Sequence, residues 1–89
     1  MIKITPNDDF AGAVLNCSIR YCLGRQTYMP GLVIDEITPI LKDCNTKTLT
    51  VMKRDIEKWL GEDSSRCYED IVEKWREFLG EINKTLENK

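Results

Sequence analysis

Tyr68-Glu69-Asp70-Ile71-Val72-Glu73-Lys74-Trp75-Arg76-Glu77-Phe78-Leu79-Gly80-Glu81-Ile82-Asn83-Lys84-Thr85-Leu86 decides the fold class. Tyr68, Ile71, Val72, Trp75, Phe78, Leu79, Ile82 and Leu86 recur at helical spacing and share one face, an apolar stripe that has to be buried. Asp70, Glu73, Lys74, Glu77 and Glu81 fall opposite. About 20 residues at 1.5 Å each give a helix roughly 30 Å long. That is long for a chain of 89 residues, and its distal end is expected to pass beyond the core and pack on a second copy. Ser64 or Ser65 is placed to cap its start.

Upstream, Leu49, Met52, Ile56, Trp59 and Leu60 make a second clean stripe. This third helix is expected to start near Thr46 or Thr48, after a loop over residues 43–47, and to stop at Gly61. Before it, Leu32, Val33, Ile34, Ile37, Ile40 and Leu41 form an apolar helix with Pro30 near its first position, which Pro39 kinks or divides. A short strand over 32–34 is the alternative. The first helix runs from a cap at Asn7 or Asp8, with Asp9 in its first turn, to Gly24. Phe10, Ala11, Val14, Cys17, Ser18, Tyr21 and Cys22 share its expected core face, while Ile19 and Leu23 fall off it. A helix apolar on more than one side is central or lies in an oligomer interface. Residues 1–6 read as an extended leader, an edge strand or an arm. The expectation is one all-α domain of four helices with short loops, self-associating as a homo-oligomer.

The composition narrows the chemistry. Net charge is −2, with acids and bases mixed, which argues against non-specific nucleic-acid binding. No apolar run approaches the roughly 18 residues of a membrane span, and the N-terminus lacks a signal-peptide core, so a cytoplasmic location is expected. The cysteines fall at 17, 22, 44 and 67 without paired metal-ligand spacing, and histidine is absent. Reduced thiols are expected, Cys17 and Cys22 as core residues. Neither a cofactor nor an enzymatic activity is expected: no nucleophile motif, phosphate loop or general base stands out.

The window 16–30, Asn-Cys-Ser-Ile-Arg-Tyr-Cys-Leu-Gly-Arg-Gln-Thr-Tyr-Met-Pro, gathers side chains able to bind a partner or ligand. The candidate residues are Arg20, Arg25, Thr27 and Tyr28, with Arg54 from the third helix. Arginine forks match carboxylates and phosphates, and tyrosine offers a stacking face. The competing structural reading pairs Arg20 and Arg25 with Asp35, Glu36 or Asp55 and buries Tyr21 in the core. Arg54 and Asp55 read as solvated surface or as half of an Arg–Asp clasp. The acidic face of the last helix reads as solvated surface or as a mimic of nucleic acid.

Arg20-Tyr21-Cys22-Leu23-Gly24-Arg25-Gln26-Thr27-Tyr28, an apolar helix, and then Arg54-Asp55-Ile56-Glu57 resemble a pattern in short phage and prophage proteins, mainly from Firmicutes. The resemblance spans roughly residues 10–60 and leaves the last helix outside. It implies a phage accessory protein without a transferable catalytic residue. Small proteins of that kind often counter host defence, either by contacting a host defence protein such as a CRISPR nuclease or by sequestering a small nucleotide signal. The first of these, a non-catalytic anti-CRISPR-like inhibitor, is the leading expectation. A nucleotide sponge with an Arg/Tyr pocket and a purely structural or oligomerising module are the alternatives.

Overall fold

The computed structural model describes residues 5–89. It contains four α-helices and, among the described residues, no strand: α1 Asp9–Cys22, α2 Met29–Ile37, α3 Thr46–Glu62 and α4 Glu69–Glu87. The expected small all-α domain is what forms. The leader falls mostly outside the described residues. The helices close a ring in which α1 packs on α3, α3 on α4, α4 on α2 and α2 on α1. The result is a slab of 40 × 30 × 19 Å, two helix diameters thick. No described helix is long and apolar enough to cross a membrane.

Local chemistry sets the boundaries. Gly24, at φ +86°, takes the left-handed turn after α1. Thr27 Oγ1 accepts from Met29 N, and Pro30 occupies the first turn of α2, where its missing N–H costs nothing. Pro39 ends the α-helical hydrogen bonding at Ile37, and the chain continues as a 3-10 segment over Thr38–Asp43 that buries Leu41. Residues 32–34 are therefore helical. Asn45 Oδ1 accepts from Thr48 N at 2.8 Å and caps α3. Its Nδ2 donates to the Asn7 carbonyl and to Asp9 Oδ1, joining the starts of α3 and α1.

Two expected boundaries move. Gly61 does not stop α3, which runs on to Glu62. Ser64 Oγ donates to the Leu60 carbonyl at 2.6 Å, and Asp63 N closes on Trp59 O, so the polar side chains after the glycine finish the helix. Nor does Ser64 or Ser65 cap α4. Both lie in a 3-10 turn over Ser64–Arg66, and α4 begins at Glu69.

The core is built by α3 and α4. Leu49, Met52, Ile56 and Trp59 from α3 meet Val72, Trp75, Phe78 and Ile82 from α4. Trp75 lies edge-on between Trp59, at 6.3 Å between centroids, and Phe78, at 6.1 Å. Both stripes are the ones periodicity assigns, except that Tyr68 stands before the first turn of α4 and is 63% exposed. The distal end of α4 does not leave the core: Ile82 is fully buried, Leu86 packs on the cluster, and Lys89 Nζ donates to the Lys42 carbonyl at 3.2 Å. The 3-10 segment before α3 supplies the floor that keeps this end within the chain.

The first helix is turned relative to the sequence expectation. Its core side carries Gly12, Asn16, Ile19 and Cys22, with Leu15 and Leu23 partly buried against the cluster. Phe10, Val14, Cys17 and Tyr21 face outward. Gly12 explains the rotation. A Cβ on Gly12 would overlap the Thr48 hydroxyl, so the glycine is what lets α1 lie this close to α3.

Candidate functional site

The window 16–30 runs through the last turns of α1 and the loop into α2, and most of its polar groups are engaged by the chain itself. Arg20 Nε donates to Asp55 Oδ2 at 2.8 Å, tying α1 to α3. Arg54 Nε lies 3.8 Å from the other Asp55 oxygen. The Arg20 side chain is half exposed, so this clasp is worth no more than about 1 kcal/mol. Arg25 folds back on its own helix: Nε donates to the Tyr21 carbonyl at 2.9 Å and the guanidinium sits 3.9 Å above the Tyr21 ring. Thr27 holds the start of α2. Tyr28 stands 76% exposed, with Thr27 at the rim of a small hollow against Asp70 and Lys74 of α4. Lys74 in turn pairs with Asp35 at 3.1 Å.

The structure therefore brings Arg20 and Arg54 together on one carboxylate and leaves Arg25 on a tyrosine. Arg20 takes the Asp55 pairing, whereas Asp35 goes to Lys74. Tyr21 is not a core residue, and neither is Cys17. Cys22 is buried, and burial raises its thiol pKa above the ordinary 9.0, with Arg25 lowering it in part. Burial also raises the Cys44 thiol.

Gln26 is the residue that periodicity passes over. Its Oε1 accepts from Tyr68 N at 2.9 Å, across 42 residues, and so caps the incoming α4 from the loop between α1 and α2. No local pattern marks a glutamine for this, because its partner is set by tertiary packing. Gln26→Ala is expected to cost about 1 kcal/mol, as for other lost helix caps. Urea denaturation monitored by circular dichroism measures it, and an unchanged midpoint would remove the capping role.

A cleft of about 220 Å³ lies between α1 and α3, lined by Arg20, Lys47 and the buried Asn16, whose Oδ1 has no hydrogen-bond partner among the described residues. A larger groove, about 440 Å³, lies between α1 and α2 and is almost wholly apolar. On α4, Glu69, Glu73, Glu77 and Glu81 form an exposed row one helical turn apart. Arg76 approaches Glu73 at 3.5 Å and Lys84 approaches Glu81 at 3.7 Å, which offsets part of the charge.

Fold and surface together define a small all-α domain in which Arg20, Arg25 and Arg54 are engaged by the chain itself and whose surface includes an apolar groove and an acidic row. Compared with protein-family models, curated proteins and solved structures, the chain matches none.

Proposed function

We propose that this chain is a non-catalytic, phage-encoded inhibitor of bacterial antiphage immunity that acts in the host cytoplasm by protein contact. The observation that carries the proposal is the row Glu69, Glu73, Glu77 and Glu81, exposed along a helix held rigid by Trp75 and Phe78 beneath it. Three like-charge pairs at four-residue spacing each cost a few tenths of a kcal/mol, a cost that the place of Glu69 in the first turn and the pairs of Glu73 with Arg76 and Glu81 with Lys84 offset only in part. A rigid row of carboxylates complements a basic groove of the sort that holds nucleic acid, and such a match gives fast, salt-sensitive association. The resemblance of residues 10–60 to phage accessory proteins supplies the setting. The internal engagement of Arg20 and Arg25 weighs against a pocket for a nucleotide signal.

Affinity capture from a host lysate, with the wild type and the double variant Glu73→Lys/Glu77→Lys side by side, tests the proposal. The wild type is expected to retain a basic defence protein in low salt and lose it in high salt. The double variant is expected to retain nothing while melting close to the wild type: positions 73 and 77 now attract Glu69 and Glu81, which offsets their own remaining like-charge pair and the loss of the exposed Glu73–Arg76 ion pair. Equal retention by both would overturn the use of the acidic row. A rise in melting temperature with a nucleotide signal, together with no retained protein, would replace inhibition by contact with sequestration of that nucleotide.

A further inference from the structure

Phe10, Val14, Cys17 and Tyr21 follow one another at intervals of four, three and four residues. This is the spacing of a helix seam that packs against another helix. Among the described residues it stays largely open: Phe10 is 66%, Val14 48% and Tyr21 59% exposed, Cys17 is exposed too, and only the Arg25 guanidinium lies over the Tyr21 ring. We propose that α1 is the two-fold seam of a homodimer, packing antiparallel on α1 of a second copy so that Phe10 meets Tyr21 and Val14 meets Cys17 across the axis.

Three observations favour a second copy as the occupant. The first is shape. The same face carries projecting aromatic rings and, beside them, the apolar groove between α1 and α2, lined by Val14, Cys17, Tyr21 and Met29. A knob and a hole on one surface are what a two-fold interface requires, since every contact is made twice. The second is charge. Asp8 and Asp9 stand at the start of α1, and Arg20, half exposed in its pairing with Asp55, stands in its last turn. Antiparallel copies bring acid against base at both ends, and their helix dipoles also oppose. A parallel pair would set like against like. The third is area. Phe10, Val14, Tyr21 and Met29 together expose on the order of 400 Å² of side chain. With a polar rim this approaches the roughly 800 Å² that each partner gives to a standard interface. The flanking positions Ala13 and Ser18 carry no charge and let the helices come close.

The seam shares no residue with the acidic row of α4, so a dimer would present two such rows, and the two proposals stand or fall separately. Sedimentation equilibrium of the full chain is expected to show a dimer with a micromolar dissociation constant. Val14→Asp, at an exposed position, is expected to weaken it by about 100-fold or more with the circular dichroism spectrum unchanged. Glu77→Lys is expected to leave the dimer intact. Under mild oxidation, Val14→Cys is expected to give a covalent dimer through Cys17 of the second copy, and adding Cys17→Ser should abolish it. A wild type that stays monomeric at several hundred micromolar overturns the proposal. So does a dimer that survives Val14→Asp, or a crosslink that persists with Cys17→Ser, which would mean Val14 faces itself.

Discussion

Trp75→Ala is expected to lower the melting temperature by about 15–30 °C. Trp75 is fully buried and sits edge-on between Trp59 and Phe78, at the point where α4 meets α3. Truncating a buried tryptophan costs about 3–5 kcal/mol, counting both the lost transfer free energy and the cavity left behind. A domain of this size has a total stability of roughly 4–13 kcal/mol, and each kcal/mol moves its melting temperature by about 4–8 °C. The variant therefore retains little margin at 37 °C. Trp75→Phe is expected to be far milder. The indole Nε1 has no hydrogen-bond partner among the described residues, so the replacement removes a buried, unsatisfied donor along with some volume. Thermal melts followed by far-UV circular dichroism measure both. A drop under about 5 °C for Trp75→Ala would show that the aromatic group is not the keystone of the core.

Gly12→Ala is expected to destabilise the fold by about 1–3 kcal/mol, although alanine is the better helix former by about 1 kcal/mol. In an exposed helix the same change stabilises, so the sign of the effect is the informative part. The added methyl would overlap the Thr48 hydroxyl and come within 3.1 Å of Thr48 Cβ. Thr48 is itself only 4% exposed, and its Cβ and methyl stand 3.1 and 3.2 Å from the added group, so turning the hydroxyl away does not clear the contact. The helices must separate, and the clasp of Arg20 on Asp55 two turns further along would stretch with them. Removing the hydroxyl and the methyl with Thr48→Ala in the Gly12→Ala background is expected to restore most of the loss. Chemical denaturation of the two single variants and the double variant forms the cycle. A Gly12→Ala protein at least as stable as the wild type would mean that α1 and α3 are not in contact at this point.

The same glycine accounts for what the sequence conceals. Helices α3 and α4 were legible because their buried positions are long side chains at unbroken spacing, from Leu49 to Trp59 and from Val72 to Ile82. In α1 the buried side is Gly12, Asn16, Ile19 and Cys22. Two of those four contribute nothing to an apolar stripe, one being a point of close approach and the other a buried amide. The more regular stripe, from Phe10 to Tyr21, lies on the side that the chain leaves open. Periodicity finds an apolar face without saying whether the rest of the chain buries it. The candidate site was legible in the same partial way. Arg20, Arg25 and Thr27 are each engaged by the chain itself, but only Arg20 takes one of the partners the competing reading offered, while Arg25 goes to the Tyr21 carbonyl and ring. Asp55 lies 35 residues from Arg20, and Asp35 was an equal candidate until Lys74 claimed it. The stop of α3 was misplaced because a glycine ends a helix only where the backbone takes the left-handed turn. Gly24 takes it and Gly61 does not.

The aromatic side chains are divided by type between interior and surface. Both tryptophans are buried, Trp59 at 8% and Trp75 at 0% exposure, whereas Tyr21, Tyr28 and Tyr68 are each more than half exposed. The protein thus carries two separate optical reporters. Excitation of the indoles alone follows the integrity of the α3–α4 core and is blind to events at the rim. Near-ultraviolet absorbance of the phenols follows the surface, with Tyr21 reporting from the outer side of α1, Tyr28 from the start of α2 and Tyr68 from the start of α4. A titration that changes the phenol signal at constant indole emission records docking on an intact fold. One that moves both together records unfolding.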